Sequence, residues 1–363
     1  MNNQNIHIGI VGAGTIGSTI YQLLKSTGSG YKISIADQIE KHNLFVNDDD
    51  YCMLDITKPT YNGHCTQFNQ FVNGKTLIIN ALPFHQNINL YTSCFELGVP
   101  YFDLSEDDAL DKFIDSLKSD KIPFTMPHCG LAPGMSTVVA NYLLNDVENP
   151  TSIKIRVGAL SRNATNKLRY YTSWSGEGLV NEYIGDCQIL VDGKYNTVDA
   201  LTGYEKITLD GKDYEAFNTS GGLGTFAKSL DGKYDSLNLN YKTLRRIGHH
   251  DYVDFLFNDL QIPQSELTNI FSRIPKTRRD EVILYASASG AGKEDERTYF
   301  KIFRPTGING RSLTAIEYTT AIGVLAMVEL YILGKIPQDG YVRQEDVSWK
   351  DTLLTTFGSL YKE

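Results

Sequence analysis

The chain has 363 residues, of which 41% are hydrophobic and 21% are charged, a composition typical of soluble globular proteins. This length predicts two domains, or one large domain with a dependent second one. The formal net charge of -9 gives an acidic surface that repels phosphate backbones, which argues against a nucleic-acid partner.

The five cysteines include no Cys-x-x-Cys pair, so they indicate neither a disulfide framework nor a zinc site, and no metal is expected. The sequence opens on polar residues and shows no basic and then apolar leader. The longest apolar stretch, residues 314–333, contains Glu317 and Glu329 and predicts a buried helix instead of a membrane span. We expect a cytoplasmic protein without a membrane partner.

The first part of the chain alternates between predicted strands and predicted helices. The strand patterns cover residues 6–11, 32–36, 51–54, 76–80, 99–102 and 122–126. The helical patterns cover roughly residues 18–26, 87–97 and 106–118. This alternation predicts a doubly wound α/β domain over residues 1–130, a parallel sheet with helices on both faces.

The pattern changes from about residue 150, where residues 152–160 form a predicted strand. The pairs Asp192-Gly193 and Asp210-Gly211 lie between β-rich runs and are hairpin signals, because type I′ turns need positive φ. Residues 281–288 and 298–304 form a further predicted strand pair. The sequence therefore predicts an antiparallel or mixed sheet in a second domain, over residues 131–311.

The last segment, residues 312–363, is predicted to be helical. Thr314 and Glu317 have the spacing of a capping box, and Gly334 and Pro337 end the apolar run. Because this helix is apolar on most sides, we expect it to return and pack on the first domain.

The first strand is followed by Gly12-Ala13-Gly14-Thr15-Ile16-Gly17, a Gly-x-Gly-x-x-Gly motif that opens a helix. Asp37 comes twenty residues after Gly17, at the end of the next strand. These are the contexts that a dinucleotide-binding fingerprint requires. Gly12 permits the tight turn, Gly14 admits the diphosphate and Gly17 brings the helix close to the strand. The alternative is a glycine-rich turn in an unrelated βα unit.

Asp37 favours NAD over NADP, because a carboxylate accepts hydrogen bonds from ribose hydroxyls and repels a 2′-phosphate. Loops at the carboxyl ends of the other strands are expected to complete the site. The residues predicted there are Asp55, Asn80, Ala81, Leu82, Pro83, Asp103, Leu104 and Ser105. Each could equally be an ordinary strand end.

Three further segments are similar to one known family. They are HCGLAPGMSTVV at 128–139, EAFNTSGG at 215–222 and GHH at 248–250. Together with the fingerprint they resemble the saccharopine dehydrogenase family, which includes lysine 6-dehydrogenases. The resemblance covers most of the chain. It implies a Rossmann domain with an inserted mixed α/β substrate domain, an NAD cofactor, an amino-acid substrate and a homodimer.

The reaction that the resemblance implies is hydride transfer at a carbon bearing an amino group. In saccharopine, oxidation gives an imine, water adds, and the adduct splits to glutamate and an aldehyde. In the lysine 6-dehydrogenase branch the carbon carries the terminal amine, and ammonia leaves. A non-catalytic dinucleotide sensor is the hypothesis from another class.

The substrate candidates lie in the family-like segments and the second domain. Residues 130–134 are predicted to form a turn before a helix over 134–145, pointing the helix N-terminus toward the nicotinamide or a carboxylate, with a simple interdomain turn as the alternative. Asn218, Thr219 and Ser220 offer short donors, with a structural turn as the alternative. Trp174 could line the pocket, with an ordinary core aromatic as the alternative, and Glu177 could hold an amine. The predicted substrate residues are Gly130, Ala132, Pro133, Gly134, Trp174, Glu177, Asn218, Thr219, Ser220 and Arg246.

Proton transfer needs a group that titrates near neutrality, for which histidine is suited. His128 and His249, with the strand-end Asp103, are the catalytic candidates, although a lone histidine is usually only hydrogen bonded in place. Cations for a substrate carboxylate are available at Arg169, Arg245, Arg246 and Arg304.

Overall fold

The computed structural model describes residues 5–39, 46–54, 66–106, 108–117, 119, 121–292 and 295–363. The chain divides into two units. Unit 1 comprises Met1–Met135, Ile308–Arg311 and Thr320–Lys362, and unit 2 comprises Ser136–Gly307, Ser312–Thr319 and Glu363.

Unit 1 contains a sheet of six strands that are all parallel, in the order β3-β2-β1-β4-β5-β6. This is the predicted α/β fold, and the strand order reverses between β1 and β4, where such sheets bind ligands beyond their carboxyl ends. The strands are β1 (His7–Val11), β2 (Lys32–Asp37), β3 (Tyr51–Met53), β4 (Leu77–Asn80), β5 (Tyr101–Asp103) and β6 (Thr125–Met126).

In the described part of unit 1, four helices connect these strands. Strands β1 and β4 are buried along almost their whole length, as strands of a covered parallel sheet must be. Phe68, Leu90 and Leu110, from three of the helices, belong to one core cluster with Ile78 and Tyr101 of the sheet. The helices are α1 (Thr15–Ser26), α2 (Thr66–Val72), α3 (Asn87–Leu97) and α4 (Asp108–Ser116).

Unit 2 is built on a mixed sheet with the order β10-β11-β12-β7-β13-β14, in which only the β7–β12 pair is parallel among the six strands of that path. Both predicted hairpin turns are present, since Asp192, Gly193, Asp210 and Gly211 all have positive φ. The strands are β7 (Pro150–Ser161), β8 (Asp186–Val191), β9 (Lys194–Asp199), β10 (Glu205–Leu209), β11 (Lys212–Asn218), β12 (Asn238–Arg246), β13 (Asp280–Gly290) and β14 (Glu296–Phe303).

The helices of unit 2 were only partly predicted, because four of the five are short. The helix that follows the predicted 130–134 turn is α5 (Met135–Asn145), whose first residue belongs to unit 1. The others are α6 (Gly176–Glu182), α7 (Phe226–Leu230), α8 (His249–Asp254), which continues into a π-helical turn at Phe255–Asp259, and α9 (Gln264–Ser272).

The predicted C-terminal helix is α10 (Ala315–Ile332), which follows the short strands β15 (Thr306–Ile308) and β16 (Arg311–Leu313) and precedes α11 (Trp349–Thr352). The capping box is confirmed, because Glu317 N–H donates to Thr314 Oγ1 at 3.2 Å and Thr314 N–H donates to Glu317 Oε2 at 2.8 Å. The helix is long and apolar enough to cross a membrane, yet 72% of it is buried inside the protein. Its residues from Thr320 onward belong to unit 1, as expected for a helix that returns to the first domain.

Asp280 holds the start of α10 and gives a first test. Its carboxylate is fully buried and accepts the N–H groups of Ala315 at 2.7 Å and Ile316 at 3.1 Å. Asp280→Ala should lower the free energy of unfolding by about 1–3 kcal/mol, because two buried donors lose their acceptor. Urea unfolding measures the effect, with the exposed Asp235→Ala as control. Equal stability of the two variants would contradict the capping role.

Candidate functional site

The glycine loop of unit 1 brings α1 against the end of β1. A Cβ on Gly17 would lie 1.8 Å from the carbonyl oxygen of Gly12. Gly12 has φ +101°, and a Cβ there would lie 2.6 Å from the carbonyl oxygen of Ala81. Neither glycine can carry a side chain, so both positions are fixed by close backbone contact.

Gly14 differs from these two glycines because nothing lies within 4 Å of the place its Cβ would occupy. It is the N-cap of α1, no side chain caps the helix, and no acidic residue lies in the first turn. The N–H groups of this turn and the positive end of the helix dipole are therefore offered to an anion. Thr15 is exposed and Ile16 is half-buried, which leaves this turn accessible.

Asp37 is held at the glycine loop. Its Oδ2 accepts the N–H of Ala13 at 2.7 Å, which fixes the carboxylate at the carboxyl end of β2 beside the start of α1. Only Ile39 N–H, at 3.4 Å, approaches the other oxygen among the described residues, and that oxygen can accept from a ribose hydroxyl. This chain's residues thus fit the diphosphate and ribose of a dinucleotide.

Asn80, at the end of β4, orders the neighbouring loop with its own side chain. Its Nδ2 donates to Asn87 Oδ1 and to Tyr101 Oη, both at 2.8 Å, and its Oδ1 accepts the N–H of Leu82 at 2.9 Å. The buried amide is fully used in positioning this loop. Of the other predicted cofactor residues, Ala81, Leu82 and Leu104 are half-buried and Pro83 is exposed. Asp55 lies outside the described residues.

His128 and Asp103 form a buried network at the carboxyl ends of β5 and β6. Asp103 Oδ1 accepts the N–H groups of His128 at 3.1 Å and Ser105 at 3.0 Å, and its Oδ2 accepts Tyr101 Oη–H at 3.1 Å. His128 Nδ1 donates to the carbonyl of Ser105 at 2.7 Å, and its Nε2 lies 3.0 Å from Asp111 Oδ2. Since both ring nitrogens face acceptors, the geometry is that of an imidazolium.

Two opposing effects set the protonation of His128. Burial alone lowers its pKa, but the hydrogen bond and charge of Asp111, with the charge of Asp103, outweigh this and raise the pKa to about 9. Burial raises the pKa of Asp103 against the charge of His128. Both side chains are nearly inaccessible, at 3% and 1% exposure. This geometry favours a fixed positive charge over a group that exchanges protons at neutral pH.

The predicted turn at residues 130–134 is tightly closed. Met135 N–H donates to the carbonyl of Gly130 at 3.1 Å, and Gly134 has φ +129°. A Cβ on Gly134 would lie 2.2 Å from that same carbonyl oxygen, and Gly323 packs against it as well. Ala132 is half-buried and Pro133 is buried. Gly134 is therefore required by the turn itself, whatever the turn binds.

In unit 2 the segment 218–220 uses its side chains internally. Asn218 Nδ2 donates to Thr202 Oγ1 at 3.1 Å, and Thr219 Oγ1 pairs with Thr243 Oγ1 at 2.7 Å. Ser220 Oγ donates to a backbone carbonyl at 2.9 Å. Thr219 is 2% exposed. The alternative of a structural turn is the one this geometry favours.

His249 lies in the core of unit 2 with no exposed surface. Its Nε2 accepts from Tyr183 Oη at 2.9 Å, and its Nδ1 donates to the carbonyl of Leu168 at 2.9 Å. Burial and the charge of Arg245 lower its pKa to about 3. Both nitrogens of the neutral ring are occupied, which favours a packing role over proton transfer.

The other substrate-binding candidates of unit 2 differ in their side-chain partners and in their exposure. Arg245 is buried and donates to Glu182 Oε2 at 2.8 Å. Arg246 pairs with Glu281. Trp174 is half-buried and its Nε1 donates to a tyrosine hydroxyl at 2.9 Å. The remaining candidates, Arg169, Glu177 and Arg304, are exposed.

The comparisons with known proteins agree with this geometry. The model of the saccharopine dehydrogenase NADP binding domain matches residues 8–124, and that of the saccharopine dehydrogenase C-terminal domain matches residues 130–362. The chain belongs to the saccharopine dehydrogenase family. The resemblance predicted from the sequence is thus confirmed, and with it an oxidoreductase-family fold whose first domain is of the type that binds a nicotinamide cofactor.

Two solved structures with family-like folds cover almost all of the chain. Saccharopine dehydrogenase (L-Glu forming) from Saccharomyces cerevisiae is similar with a TM-score of 0.72 and 14% identity, over 96% of this chain and 97% of that chain. Homospermidine synthase from Legionella pneumophila, in complex with NAD, has a TM-score of 0.68 and 12% identity, over 98% and 89% of the two chains. At these identities the likeness shows the fold of this saccharopine dehydrogenase family member.

Three positions were missed by the sequence analysis of this family member. Asp111 and Tyr341 complete the His128 network, since Tyr341 Oη donates to Asp111 Oδ1 at 2.7 Å. Arg311 donates to Ser18 Oγ at 3.1 Å and brings a positive charge to the first turns of α1. Tyr341 and Arg311 are more than 200 residues from their partners in sequence. No local pattern could have indicated them.

Gly14→Ala separates binding from folding in the glycine loop. Because the site of the new methyl group is open, the melting temperature should stay near that of the wild type. Affinity for NADH should fall about 10-fold or more, since the methyl group occupies the space of the diphosphate. Fluorescence titration measures this, with the exposed Gly292→Ala as control. Undiminished NADH binding by Gly14→Ala would place the diphosphate elsewhere.

Asp111→Asn tests the buried His128 ion pair through pH. The folded pKa of about 9 lies above the unfolded value of 6.5, so the pair stabilises fully below pH 6.5 and the contribution is lost as pH rises through about 9. Between pH 7 and 10, wild-type stability should therefore fall by about 1–3 kcal/mol relative to the variant. Urea unfolding across this range measures it, with exposed Asp115→Asn as control. If the free energies of unfolding of wild type and Asp111→Asn change in parallel with pH, the His128–Asp111 ion pair does not stabilise the fold.

Proposed function

We propose that this chain is an NAD-dependent, saccharopine dehydrogenase-like oxidoreductase. The proposed reaction is hydride transfer at the amine-bearing carbon of saccharopine, giving glutamate and aminoadipate semialdehyde. The observation that carries the proposal is the uncapped N-terminus of α1 at Gly14, with the carboxylate of Asp37 fixed beside it. Membership of the saccharopine dehydrogenase family supports the chemistry.

The cofactor, when bound, supplies the hydride acceptor, and the residues of this chain supply binding and orientation. The N–H groups of Thr15 and Ile16 would hold the diphosphate, and Asp37 would accept the adenosine ribose hydroxyls. Asn80 fixes the loop after β4 against which the dinucleotide would lie. His128, held by Asp111, keeps a positive charge at the carboxyl ends of the strands at neutral pH.

The preference for NAD is supported by the position of Asp37. A carboxylate at the ribose repels a 2′-phosphate, and Asp37 is held in place by Ala13 N–H instead of turning away into solvent. The homospermidine synthase that shares the fold was solved with NAD. The matching domain model is named for NADP, so cofactor choice needs a direct test.

Asp37→Asn isolates the charge from the contact, because an asparagine oxygen can still accept from Ala13. Removing the repulsion should tighten NADPH binding about 10-fold and leave NADH binding within a few-fold. Asp49→Asn is the matched control, since Asp49 is exposed and precedes β3 at the amino edge of the sheet. If the NADH-to-NADPH affinity ratio of Asp37→Asn equals that of wild type, Asp37 does not select the cofactor.

The substrate is tested by absorbance at 340 nm with NAD and, in turn, saccharopine and lysine. We expect NADH formation with saccharopine and little or none with lysine. Turnover of lysine with release of ammonia would instead identify a lysine 6-dehydrogenase. NADH binding without turnover of any amino acid in a panel would favour the non-catalytic sensor.

A further inference from the structure

Unit 2 contains a cavity of about 580 Å³ lined mainly by arginines, here called the arginine cavity. Among the residues that the structure describes, no acidic one lines it. Its polar lining consists of Arg162, Asn163, Arg278, Arg279, Arg304 and Ser312. Of the four arginines, only Arg304 is among those that the sequence offered as partners for a substrate carboxylate.

Three of the arginines flank the ends of neighbouring strands. Arg162 follows the last residue of β7, Arg279 precedes the first residue of β13, and Arg304 follows the last residue of β14. Strand β13 lies between β7 and β14 in the sheet, and Arg162 N–H donates to the carbonyl of Arg279 at 2.9 Å. Adjacent strands are about 5 Å apart, so the sheet brings three cations together at one edge.

The facing pair Arg162 and Arg279 has a cost, because like charges opposite each other on neighbouring strands are destabilising. Arg304 instead lies opposite Glu281, since the preceding Phe303 pairs with Val282. Within the described residues, the exposed side chains of Arg162, Arg279 and Arg304 have no hydrogen-bond or acidic partner. Arg278 alone approaches an acid, Glu317 at 3.5 Å, and its side chain remains 58% exposed.

Most arginines elsewhere in unit 2 have an acidic partner, although the exposed Arg169 and Arg273 have none among the described residues. Each of four others lies against a carboxylate; the pairs are Arg156 with Glu205, Arg245 with Glu182, Arg246 with Glu281 and Arg297 with Asp146. The chain also carries more acidic than basic residues, 43 against 34. Unpaired arginines converging on one cavity in such a chain point to an anion that comes from outside it.

We propose that the arginine cavity is a binding site for a polycarboxylate. A guanidinium group presents a planar fork that matches a carboxylate with two parallel hydrogen bonds, so four arginines can bind at least two carboxylates. The Asn163 amide and the Ser312 hydroxyl add neutral donors. The volume is that of a small-molecule site, of which a lone phosphate ion would fill only a small part.

Two ligands share this chemistry. One is the polycarboxylate substrate, an assignment that rests on the proposed function. The other is a separate polycarboxylate that binds without reacting. The proposed site does not depend on which of the two is the ligand, because the arginines lie together whatever reaction the chain catalyses.

Isothermal titration of the full-length protein with citrate, without cofactor and at constant ionic strength, tests the site. Arg279→Gln and Arg304→Gln should each weaken citrate binding about 10-fold or more, through loss of a charge-assisted contact. Arg273→Gln is the matched control, because Arg273 is exposed in unit 2 and does not line the cavity. Inorganic phosphate should bind much more weakly than citrate.

Citrate binding that is absent, or equal in wild type and both cavity variants, would overturn the proposal, as would phosphate binding as tightly as citrate. Two variants guard against one that fails to fold. If Arg304→Gln also raises KM for saccharopine about 10-fold with KM for NAD unchanged, the site binds substrate. If KM for saccharopine is unchanged, the polycarboxylate is a separate ligand. Failure of turnover would refute the proposed function and leave the titration valid.

Discussion

The contact on which the proposed dinucleotide site depends is the approach of Gly17 to the carbonyl oxygen of Gly12. A Cβ on Gly17 would lie 1.8 Å from that oxygen, so only glycine allows the first turn of α1 to lie so close to the end of β1. This closeness places the helix N-terminus at the carboxyl edge of the sheet and lets Ala13 N–H reach Asp37. The glycines here do not provide flexibility; they allow one particular close packing.

The same edge of the sheet carries several buried polar groups. Asn80, Tyr101, Asp103 and His128 are linked by hydrogen bonds, and Asp111 connects the network to Tyr341. Such a network stabilises only when its members are satisfied, and it then specifies one arrangement of the loops. We infer that these loops are ordered before any ligand binds. Unit 2 combines a similarly paired core around Arg245 with the unpaired arginines of the arginine cavity.

The sequence predicted what local patterns encode. The helix that opens at the glycine motif, the two Asp-Gly hairpins and the capping box at Thr314 are confirmed because each is defined within a few residues. The strand bounds shifted by one to three residues, as at β6, where only Thr125–Met126 pair in the sheet. The short helices α6 to α8 were missed, since five to seven residues give little periodic signal.

Side-chain roles were harder to predict because they depend on distant residues. His249 belongs to the family-like segment GHH yet lies in the core, hydrogen bonded to Tyr183 and Leu168. Nothing in that segment indicates its burial. Asn218 to Ser220 looked like free donors, but their partners are supplied by segments 16 to 39 residues away. The arginine cavity could not be foreseen, because its arginines come from three strand ends that only the sheet order brings together.

The most direct measurement of the central claim is the crystal structure of the protein grown with NADH. The account predicts the diphosphate within about 3 Å of the N–H groups of Thr15 and Ile16, and an adenosine ribose hydroxyl hydrogen bonded to Asp37. A dinucleotide bound away from α1, or a folded protein that shows none at saturating NADH, would contradict it.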